Sequence, residues 1–287
     1  MDPRILARLR CPVCGEPLAE AAAGTARALR CPRRHSFDIA RQGYVNLLAG
    51  RAPHTGDSAE MVAARADFLA AGHYAAVAAA LAAAAADATA RGDGAVPYPL
   101  VVDAGAGTGW YLAAVLAALP DAVGLALDVS KPALRRAARA HPRAAAALAD
   151  TWQRLPLADH GAAVLLNVFA PRNGAEFHRV LDPAGALLVV TPAEDHLAEL
   201  VDALDLLRVD PAKADRVAGS LGGHFTEEST VVHRARPALT RTEVATLVGM
   251  GPSAWHADPA RLAERIAALP EPVPVTVAVR LGVHRPR

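Results

Sequence analysis

The chain has 287 residues, of which 53% are hydrophobic, so it is long enough for one large domain with its own core and a small additional unit. Its 30 basic and 29 acidic residues give a formal net charge of +1, which excludes a globally basic nucleic-acid binder but leaves room for a local basic patch. The first residues lack the apolar core of a signal peptide, and the longest alanine-rich run, 75–86, is too short to span a membrane. We therefore expect a soluble cytoplasmic protein whose three cysteines do not form disulfides.

All three cysteines lie near the start of the chain, together with one histidine. Cys11 and Cys14 form a C-x-x-C pair, and Cys31 and His35 follow at a spacing typical of a zinc knuckle. The Gly-Thr pair at 24–25 predicts a hairpin turn between the two halves. A redox C-x-x-C is disfavoured because no βαβ pattern surrounds it. Four protein ligands leave no position for a substrate water, so the sequence predicts a structural zinc ion.

Two helices are predicted between the cysteine-rich segment and the rest of the chain. The first begins near Asp57 or Ser58, and a break at Gly72 separates it from an alanine-rich helix that ends near Ala90. The segment 92–99 is rich in glycine and proline, which is typical of a linker. We therefore expect three parts: a zinc-binding unit at 1–45, a helical linker at 46–95, and a main domain at 96–287.

From Leu100 onward, apolar strands alternate with helical stretches, which is the pattern of an open α/β sheet. Ligands of such sheets bind at the carboxyl ends of the strands, so the residues that follow each strand are the candidates for a site. The predicted strands are PLVVDA, AVGLALD, AAAALAD, AAVLLNV, GALLVVTP and, near the end of the chain, VTVAVRLGV.

The first of these strands leads into the glycine-rich loop DAGAGTG. Its glycines alternate at Gly105, Gly107 and Gly109, and Trp110 stands where a dinucleotide fingerprint has its third glycine. This spacing disfavours a nicotinamide or flavin cofactor. The acidic-x-G-x-G-x-G pattern, which begins at Asp103, resembles motif I of the class I methyltransferases that use S-adenosylmethionine. The glycines would allow the cofactor to approach the backbone closely.

Two more aspartates end predicted strands. Asp128 ends the second strand, where a carboxylate can accept hydrogen bonds from both ribose hydroxyls of the cofactor. A dehydrogenase would use Asp128 in the same way, so this residue alone does not identify the cofactor. Asp150 ends the third strand and is predicted to meet the adenine amino group. Together with the glycine loop, these aspartates predict one cofactor site at the carboxyl edge of the sheet.

Seven segments, taken in order, span nearly the whole chain: CPVCGEPL, CPRRHSFDIARQGYVNLL, GDSAEMVAARADFLAAGHY, VVDAGAGTG, LDVSKPALRRAARAHP, NVFAPRN and GMGPSAWH. Together they resemble the RlmA-type 23S ribosomal RNA guanine-N1 methyltransferases. The resemblance implies a class I methyltransferase fold, a Rossmann-like open sheet that is mostly parallel with an antiparallel C-terminal strand, preceded by a small N-terminal zinc-binding domain. It also implies that the unit at 1–45 recognises RNA, that the helical linker at 46–95 contributes to a lid over the cofactor, and that 96–287 is the methyltransferase domain that uses S-adenosylmethionine. NVFAPRN, TPAEDHLAELVDALDLLRV and GMGPSAWHADP are most similar to the actinobacterial branch, which includes a tylosin-resistance methyltransferase.

The resemblance also implies roles for single residues. Tyr74 and His196 lie outside the glycine loop and are expected to close over S-adenosylmethionine from its rim. Thr108 replaces a glutamate of some relatives, so a backbone contact is expected there. The implied zinc ligands are Cys11, Cys14, Cys31 and His35, and the implied cofactor contacts are Tyr74, Gly107, Thr108 and His196.

The segment NVFAPRN follows the fourth strand, where amino-methyltransferases carry an acceptor-side motif. We expect Asn167 to hydrogen-bond the edge of the target base and Phe169 to stack on it, although core packing stays an alternative for Phe169. Arg172 is expected to offset charge on the guanine carbonyl oxygen or to hold a phosphate. Guanine N1 carries a proton, so catalysis needs a general base or stabilisation of the developing anionic oxygen, and the sequence identifies no base.

The implied target is a hairpin loop of 23S ribosomal RNA near the peptide exit tunnel, where macrolides bind. A base is presented more easily from a loop than from a duplex, and its methylation there would confer macrolide resistance. The resemblance also implies a homodimer. The RNA backbone is expected to bind arginines in and before the zinc unit, namely Arg4, Arg8, Arg10, Arg30, Arg33 and Arg34.

Two other functions stay open at this point. One is an S-adenosylmethionine-dependent enzyme that acts on a small molecule or a protein, which the arginines of the zinc unit weakly disfavour. The other is a non-catalytic zinc-bearing RNA-binding protein with a decayed cofactor site. Intact Asp103, Gly105, Gly107 and Asp128 speak against such decay.

Overall fold

The structure is a computed structural model that describes residues 1–23, 26–50, 56–91, 98–210, 212–251 and 258–287. Four features of the sequence interpretation fall wholly or partly outside these ranges. They are the hairpin turn at 24–25, most of the linker at 92–99, the domain boundary between 95 and 96, and the end of the GMGPSAWH segment.

The described residues form α-helices and β-strands in alternation over most of the chain. The helices are α1 (Pro3–Leu6), α2 (Ala59–Ala70), α3 (Ala75–Ala90), α4 (Trp110–Ala118), α5 (Lys131–Ala137), α6 (Gly174–Val180), α7 (Ala198–Leu204), α8 (Lys213–Leu221), α9 (Arg241–Gly249) and α10 (Pro259–Ala267). The strands are β1 (Ala19–Ala23), β2 (Ala26–Arg30), β3 (Ser36–Asp38), β4 (Val45–Asn46), β5 (Leu100–Ala104), β6 (Val123–Asp128), β7 (Ala144–Leu148), β8 (Ala162–Val168), β9 (Leu181–Pro192), β10 (Phe225–Ala235), β11 (Ala238–Leu239), β12 (Val273–Pro274) and β13 (Val277–Pro286).

Within the described ranges, eight strands form one sheet in the order β10-β13-β9-β8-β5-β6-β7-β4. Neighbouring strands from β9 to β4 pair in parallel, whereas β13 is antiparallel to both β9 and β10. The predicted sheet, mostly parallel with an antiparallel C-terminal strand, is therefore confirmed. Because β5, β6, β7 and β8 are parallel, their carboxyl ends meet at one edge, and the loops that follow them surround one site.

Both faces of this sheet are covered. Helices α2, α3, α4 and α9 contribute to a core on one face, together with apolar residues such as Val101 and Val164. On the other face, the zinc unit and α6 share a second core with Val102 and Leu125. Successive residues of a strand point to opposite faces, so Val101 and Val102 reach different cores.

The zinc unit is a three-stranded antiparallel sheet, β1-β2-β3, joined to the main sheet by a short edge strand. That edge strand is β4, in which Val45 and Asn46 pair in parallel with Ala147 and Leu148 of β7. The chain thus enters the main sheet where the sequence interpretation places its first boundary. The division into 1–45, 46–95 and 96–287 stays a prediction.

The two helices predicted before the main domain are present. Ser58 caps α2 because its hydroxyl accepts a hydrogen bond from the backbone N–H of Met61 at 3.2 Å. Gly72 has φ +85, which favours glycine, and it separates α2 from α3. Among the described helices, none is by itself long and apolar enough to cross a membrane; α2 and α3 reach that length and composition only together, with a bend of 83° between them.

Candidate active site and metal centre

Two tight turns bring the predicted zinc ligands together. In the first turn, the N–H of Gly15 donates to the carbonyl of Cys11 at 2.8 Å, and Gly15 has φ +76. In the second, the N–H of Arg34 donates to the carbonyl of Cys31 at 2.9 Å, and Arg34 has φ +66. Each turn therefore directs its side chains toward the other turn.

The four donor atoms have the spacing of a tetrahedral zinc site. The Sγ atoms of Cys14 and Cys31 lie 3.7 Å apart, and Nδ1 of His35 lies 3.5 Å from Sγ of Cys11 and 3.3 Å from Sγ of Cys31. All four donors lie within 4.8 Å of one another. Zn–S bonds of about 2.3 Å at tetrahedral angles set two sulfurs about 3.8 Å apart, so the donors fit one Zn²⁺ ion.

A cavity of about 770 Å³ opens at the carboxyl edge of the main sheet. Loops after β5, β6, β7 and β8 border it, as expected for an open α/β sheet. All of the predicted cofactor residues line it: Tyr74, Asp103, Gly105, Gly107, Thr108, Asp128, Asp150 and His196.

Asp128 holds the glycine loop in place. Its Oδ2 accepts a hydrogen bond from the N–H of Gly107 at 2.8 Å, and its Oδ1 accepts one from the N–H of Ser130 at 2.7 Å. Burial raises the pKa of Asp128, and these two N–H donors oppose that rise. Because each carboxylate oxygen has a second lone pair, Asp128 keeps acceptor capacity toward the cavity.

Asp103, at the end of β5, has no such support. It is buried, and among the described residues neither of its carboxylate oxygens has a hydrogen-bond partner. Burial, followed by the nearby Asp128 carboxylate, raises the pKa of Asp103 to about 8. A buried carboxyl without a donor, facing a cavity of this size, fits a ligand that brings a hydrogen-bond donor or a positive charge. S-adenosylmethionine brings both through its α-ammonium group.

Three rings gather at the rim of the cavity. The hydroxyl of Tyr74 lies 3.3 Å from Nε2 of His196, and the ring of Phe169 lies 6.3 Å from that of Tyr74 and 6.1 Å from that of His196. Nδ1 of His196 accepts the backbone N–H of Ala278 at 3.2 Å, so in the neutral imidazole Nε2 carries the proton and donates to Tyr74. Burial raises the pKa of Tyr74, which keeps its hydroxyl protonated.

Of the three predicted acceptor-side residues, only Phe169 lines the cavity. Its side chain is 42% exposed, which disfavours the core-packing alternative, and its φ of +51 is unusual for a residue with a side chain. Such backbone strain is found most often at functional sites, where the surrounding structure holds it in place.

Asn167 and Arg172 brace the turn that carries Phe169. Asn167 is 0% exposed, and its Nδ2 donates to the carbonyls of Ala104 and Pro171 at 3.2 and 2.8 Å. Arg172 donates to Oδ1 of Asn167 at 3.3 Å, and burial lowers the pKa of its guanidinium. In this conformation the Asn167 amide is buried and directed into the turn, and its contact with the edge of a guanine stays a prediction.

Sequence comparisons agree with this arrangement. Residues 9–52 match the zinc-ribbon family described as RlmA, N-terminal. A Micromonospora griseorubida protein assigned as a 23S rRNA (guanine-N1)-methyltransferase is 70% identical over 100% of both chains. The 23S rRNA (guanine(748)-N(1))-methyltransferase of Streptomyces fradiae is 51% identical over 100% of this chain and 99% of its own. A Bacillus subtilis protein assigned to the same family is 30% identical over 86% of this chain and 87% of its own.

This chain belongs to the 23S rRNA (guanine-N1)-methyltransferases. Its membership rests on identity along the whole chain, which includes the zinc unit and the cavity. The family uses S-adenosylmethionine, and the resemblance drawn from the seven sequence segments is confirmed.

The methyltransferase cavity also contains residues that the sequence interpretation missed. Arg65 of α2 lines it, pairs with Asp57 and donates to the carbonyl of Met250 at 2.8 Å, so it joins α2 to the segment after α9. Trp152 lines it from the loop after β7 and is 54% exposed. No motif indicated Arg65, but the position of Trp152 two residues after the strand-ending Asp150 could have done so.

The arginines predicted to bind RNA fall into two groups. Those before the first cysteine are tied to the protein itself: Arg4 pairs with Asp2 at 2.7 Å, and Arg8 donates to the carbonyl of Tyr98 at 2.9 Å. Arg10 donates to the carbonyls of Ala7 and Leu9. These contacts engage all three guanidinium groups within the protein.

The arginines around the second zinc turn differ from the first group. Arg30, Arg33 and Arg34 are exposed, and their guanidinium groups have no hydrogen bond or ion pair within the described part of the chain. Of the six predicted arginines, these three therefore have side chains available to an RNA phosphate.

Proposed function

We propose that this methyltransferase transfers a methyl group from S-adenosylmethionine to N1 of a guanine in 23S ribosomal RNA, at the position that corresponds to guanine 748 of the Streptomyces fradiae relative. The observation that carries the proposal is the 51% identity to that enzyme over the entire chain. The alignment covers the zinc unit and the cofactor cavity together, so it favours one substrate class for the whole protein.

The target base is best presented from a hairpin loop near the peptide exit tunnel. A guanine in a loop is unstacked at lower cost than one in a duplex, and the open rim of the cavity suits a base that is turned outward. Phe169 and Trp152 are exposed on two sides of this rim, after β8 and β7, and either ring can stack on a purine.

S-adenosylmethionine, when bound, supplies an electrophilic methyl group. In this proposal Asp128 accepts hydrogen bonds from the ribose hydroxyls and Asp103 receives the α-ammonium group, and the lining of the cavity by both residues supports these roles. Tyr74 and His196 close the rim through their mutual hydrogen bond. Asn167 and Arg172 hold the turn that carries Phe169, so their contribution is to position the acceptor base in line with the methyl group.

The test is a transfer assay with labelled S-adenosylmethionine and unmethylated 23S hairpin transcripts. N1 methylation blocks Watson–Crick pairing, so reverse transcription should stop one nucleotide before the target guanine. A transcript with adenosine at that position should accept no label. Transfer to a protein or a small molecule without transfer to RNA would overturn the proposal, and so would RNA binding without any transfer.

Three further features belong to the same proposal. The enzyme acts as a homodimer, which light scattering of the purified protein would test. It acts in the compartment that holds the ribosome, the cytoplasm. Its methylation confers resistance to tylosin-type macrolides, so expression in a sensitive bacterium should raise the inhibitory concentration of such a drug, and Asp103→Asn should abolish that rise.

A further inference from the structure

Helix α5 and the turn that follows it carry four basic side chains at the protein surface. Lys131, Arg135 and Arg136 belong to α5, and Arg139 lies in the turn after it. All four are exposed. We call this set the α5 basic surface.

Two of these residues share one side of the helix, and the set is elongated. Lys131 and Arg135 are four positions apart, so their side chains lie one above the other. From Lys131 to Arg136 the helix rises about 7.5 Å, and Arg139 lies beyond its end, so the set is long enough to contact more than one phosphate of an RNA strand.

No acidic group neutralises this surface within the described residues. None of the four side chains makes an ion pair or a hydrogen bond there, whereas other arginines of the same domain are engaged. Arg179 pairs with Glu176, Arg285 pairs with Glu228, and Arg143 donates to backbone carbonyls. In a chain with a net charge of +1, four unpaired cations in nine residues form a local positive field.

The helix macrodipole accounts for only part of this pattern. Arg135 and Arg136 lie in the last turn of α5, where a positive charge is favourable. Lys131 is the first residue of α5, where the same dipole makes a positive charge unfavourable. Arg139 lies beyond the end of the helix. The dipole therefore does not account for the basic residues at the two ends of the set.

The α5 basic surface lies between the cofactor cavity and the zinc unit. Lys131 follows Ser130, whose N–H donates to the cavity-lining Asp128. At the other end, a Cβ added to Gly43 would lie 3.5 Å from Cβ of Ala138, so the turn between β3 and β4 packs against the end of α5. That turn carries Arg41, which is also exposed.

We propose that the α5 basic surface binds the phosphate backbone of the substrate RNA beside the target guanine. The inference rests on the proposed function, because it takes RNA as the substrate. A polyanionic strand fits the elongated, unpaired charge, and a strand held there runs from the rim of the cavity toward the zinc unit.

The test compares two double variants with the same loss of charge. Arg135→Gln/Arg139→Gln removes two cations from the α5 basic surface. Arg236→Gln/Arg261→Gln removes two exposed arginines elsewhere, one after β10 at the far edge of the sheet and one on α10. Each phosphate contact contributes roughly 0.7 to 0.9 to the slope of log affinity against log salt. We expect the first variant to bind the hairpin roughly tenfold more weakly with a salt slope smaller by about 1.5, and the second to match the parent.

Two more measurements separate binding from folding. S-adenosylmethionine affinity should stay within about twofold of the parent in both variants, and Arg135→Lys/Arg139→Lys, which keeps the charge, should recover most of the RNA affinity. An unchanged salt slope, or an equal loss in the control variant, would overturn the inference. If the parent protein itself transfers no methyl group to the hairpin, the proposed function fails instead, so the two failures are distinguishable.

Discussion

Among single residues, Asp103 should dominate the pH dependence of stability. The unfolded chain ionises this carboxyl near pH 4, but burial and the Asp128 carboxylate raise its folded pKa to about 8. The free energy of unfolding therefore falls as pH rises from about 4 to about 8, by at most about 1.4 kcal/mol per pH unit from this group. We expect Asp103→Asn, which does not ionise, to flatten this dependence in thermal unfolding of the ligand-free protein.

The same substitution, Asp103→Asn, should weaken the binding of S-adenosylmethionine. A cationic ligand favours the ionised carboxyl, so the affinity of the parent for S-adenosylmethionine should rise between pH 6 and pH 8, and that of Asp103→Asn should be lower and nearly constant. Calorimetry across this range measures both. If the stability of the variant followed that of the parent in parallel from pH 4 to pH 8, Asp103 would be ionised in the folded protein.

Substitution of Phe169 should lower the rate of methyl transfer with little effect on the stability of the fold. Its φ of +51 costs about 1 kcal/mol or more for a residue with a side chain, and glycine does not have this cost. Phe169→Gly removes the ring, so we expect methyl transfer to fall roughly tenfold or more while the free energy of unfolding changes by less than about 1 kcal/mol. Denaturant unfolding and single-turnover transfer measure the two effects, and a large loss of stability would mean that the ring acts in packing.

At the scale of secondary-structure elements, the joint between α2 and α3 depends on Gly72. A Cβ there meets no atom within 4 Å, but φ is +85, so Gly72→Ala should lower the free energy of unfolding by about 1 kcal/mol through backbone strain alone. Gly219 in α8 also has open space and a helical backbone. Gly219→Ala should therefore raise stability by up to about 1 kcal/mol. Chemical denaturation measures both changes in the free energy of unfolding. Changes of opposite sign would support backbone strain as the cause at Gly72, and changes of the same sign would contradict it.

The sequence predicted those strands and helices that are marked by a pattern within their own residues. Strands β5, β6, β7, β8 and β9 are nearly continuous apolar runs because both of their faces are buried, and a Ser58 cap marks the start of α2. Strand β10 was missed because most of its residues are exposed, so it shows no regular apolar alternation. Helices α7 to α10 were missed as well, and for α8 and α10 the reason is that they bury few apolar residues.

Contacts between distant segments limited the prediction of the site. The zinc ligands were predictable because C-x-x-C and the later Cys31–His35 pair each close within one turn. The hydrogen bonds of Asn167 were not predictable, because its partners include the carbonyl of Ala104, 63 positions away. The Tyr74–His196 contact joins residues 122 positions apart, so only family resemblance could place both at one site.

At the scale of the whole molecule, the zinc unit is joined to the back of the main sheet. Cys11 and Cys31 share a buried core with Leu155 and Leu157. The N–H of Arg10 also donates to the carbonyl at position 156 at 2.9 Å. The segment that anchors the zinc unit thus continues from the loop that carries Asp150 and Trp152. The sites for cofactor and metal are distinct, but one loop contacts both.

Loss of zinc should affect RNA binding more than cofactor binding, because most of the predicted cofactor contacts belong to β5, β6 and the loops after them and not to the zinc unit. Cys14→Ser removes one of four ligands at the exposed side of the cluster, so the purified protein should contain less than one zinc ion per chain. The arginines of the second zinc turn would lose their fixed positions, and hairpin affinity should fall about tenfold or more. Asp103, Gly107 and Asp128 depend on β5 and β6, so S-adenosylmethionine affinity should change by less than about threefold. An equal fall in both affinities would mean that the zinc ion supports the loop after β7, and through it the cofactor cavity, as much as it supports the RNA-binding unit.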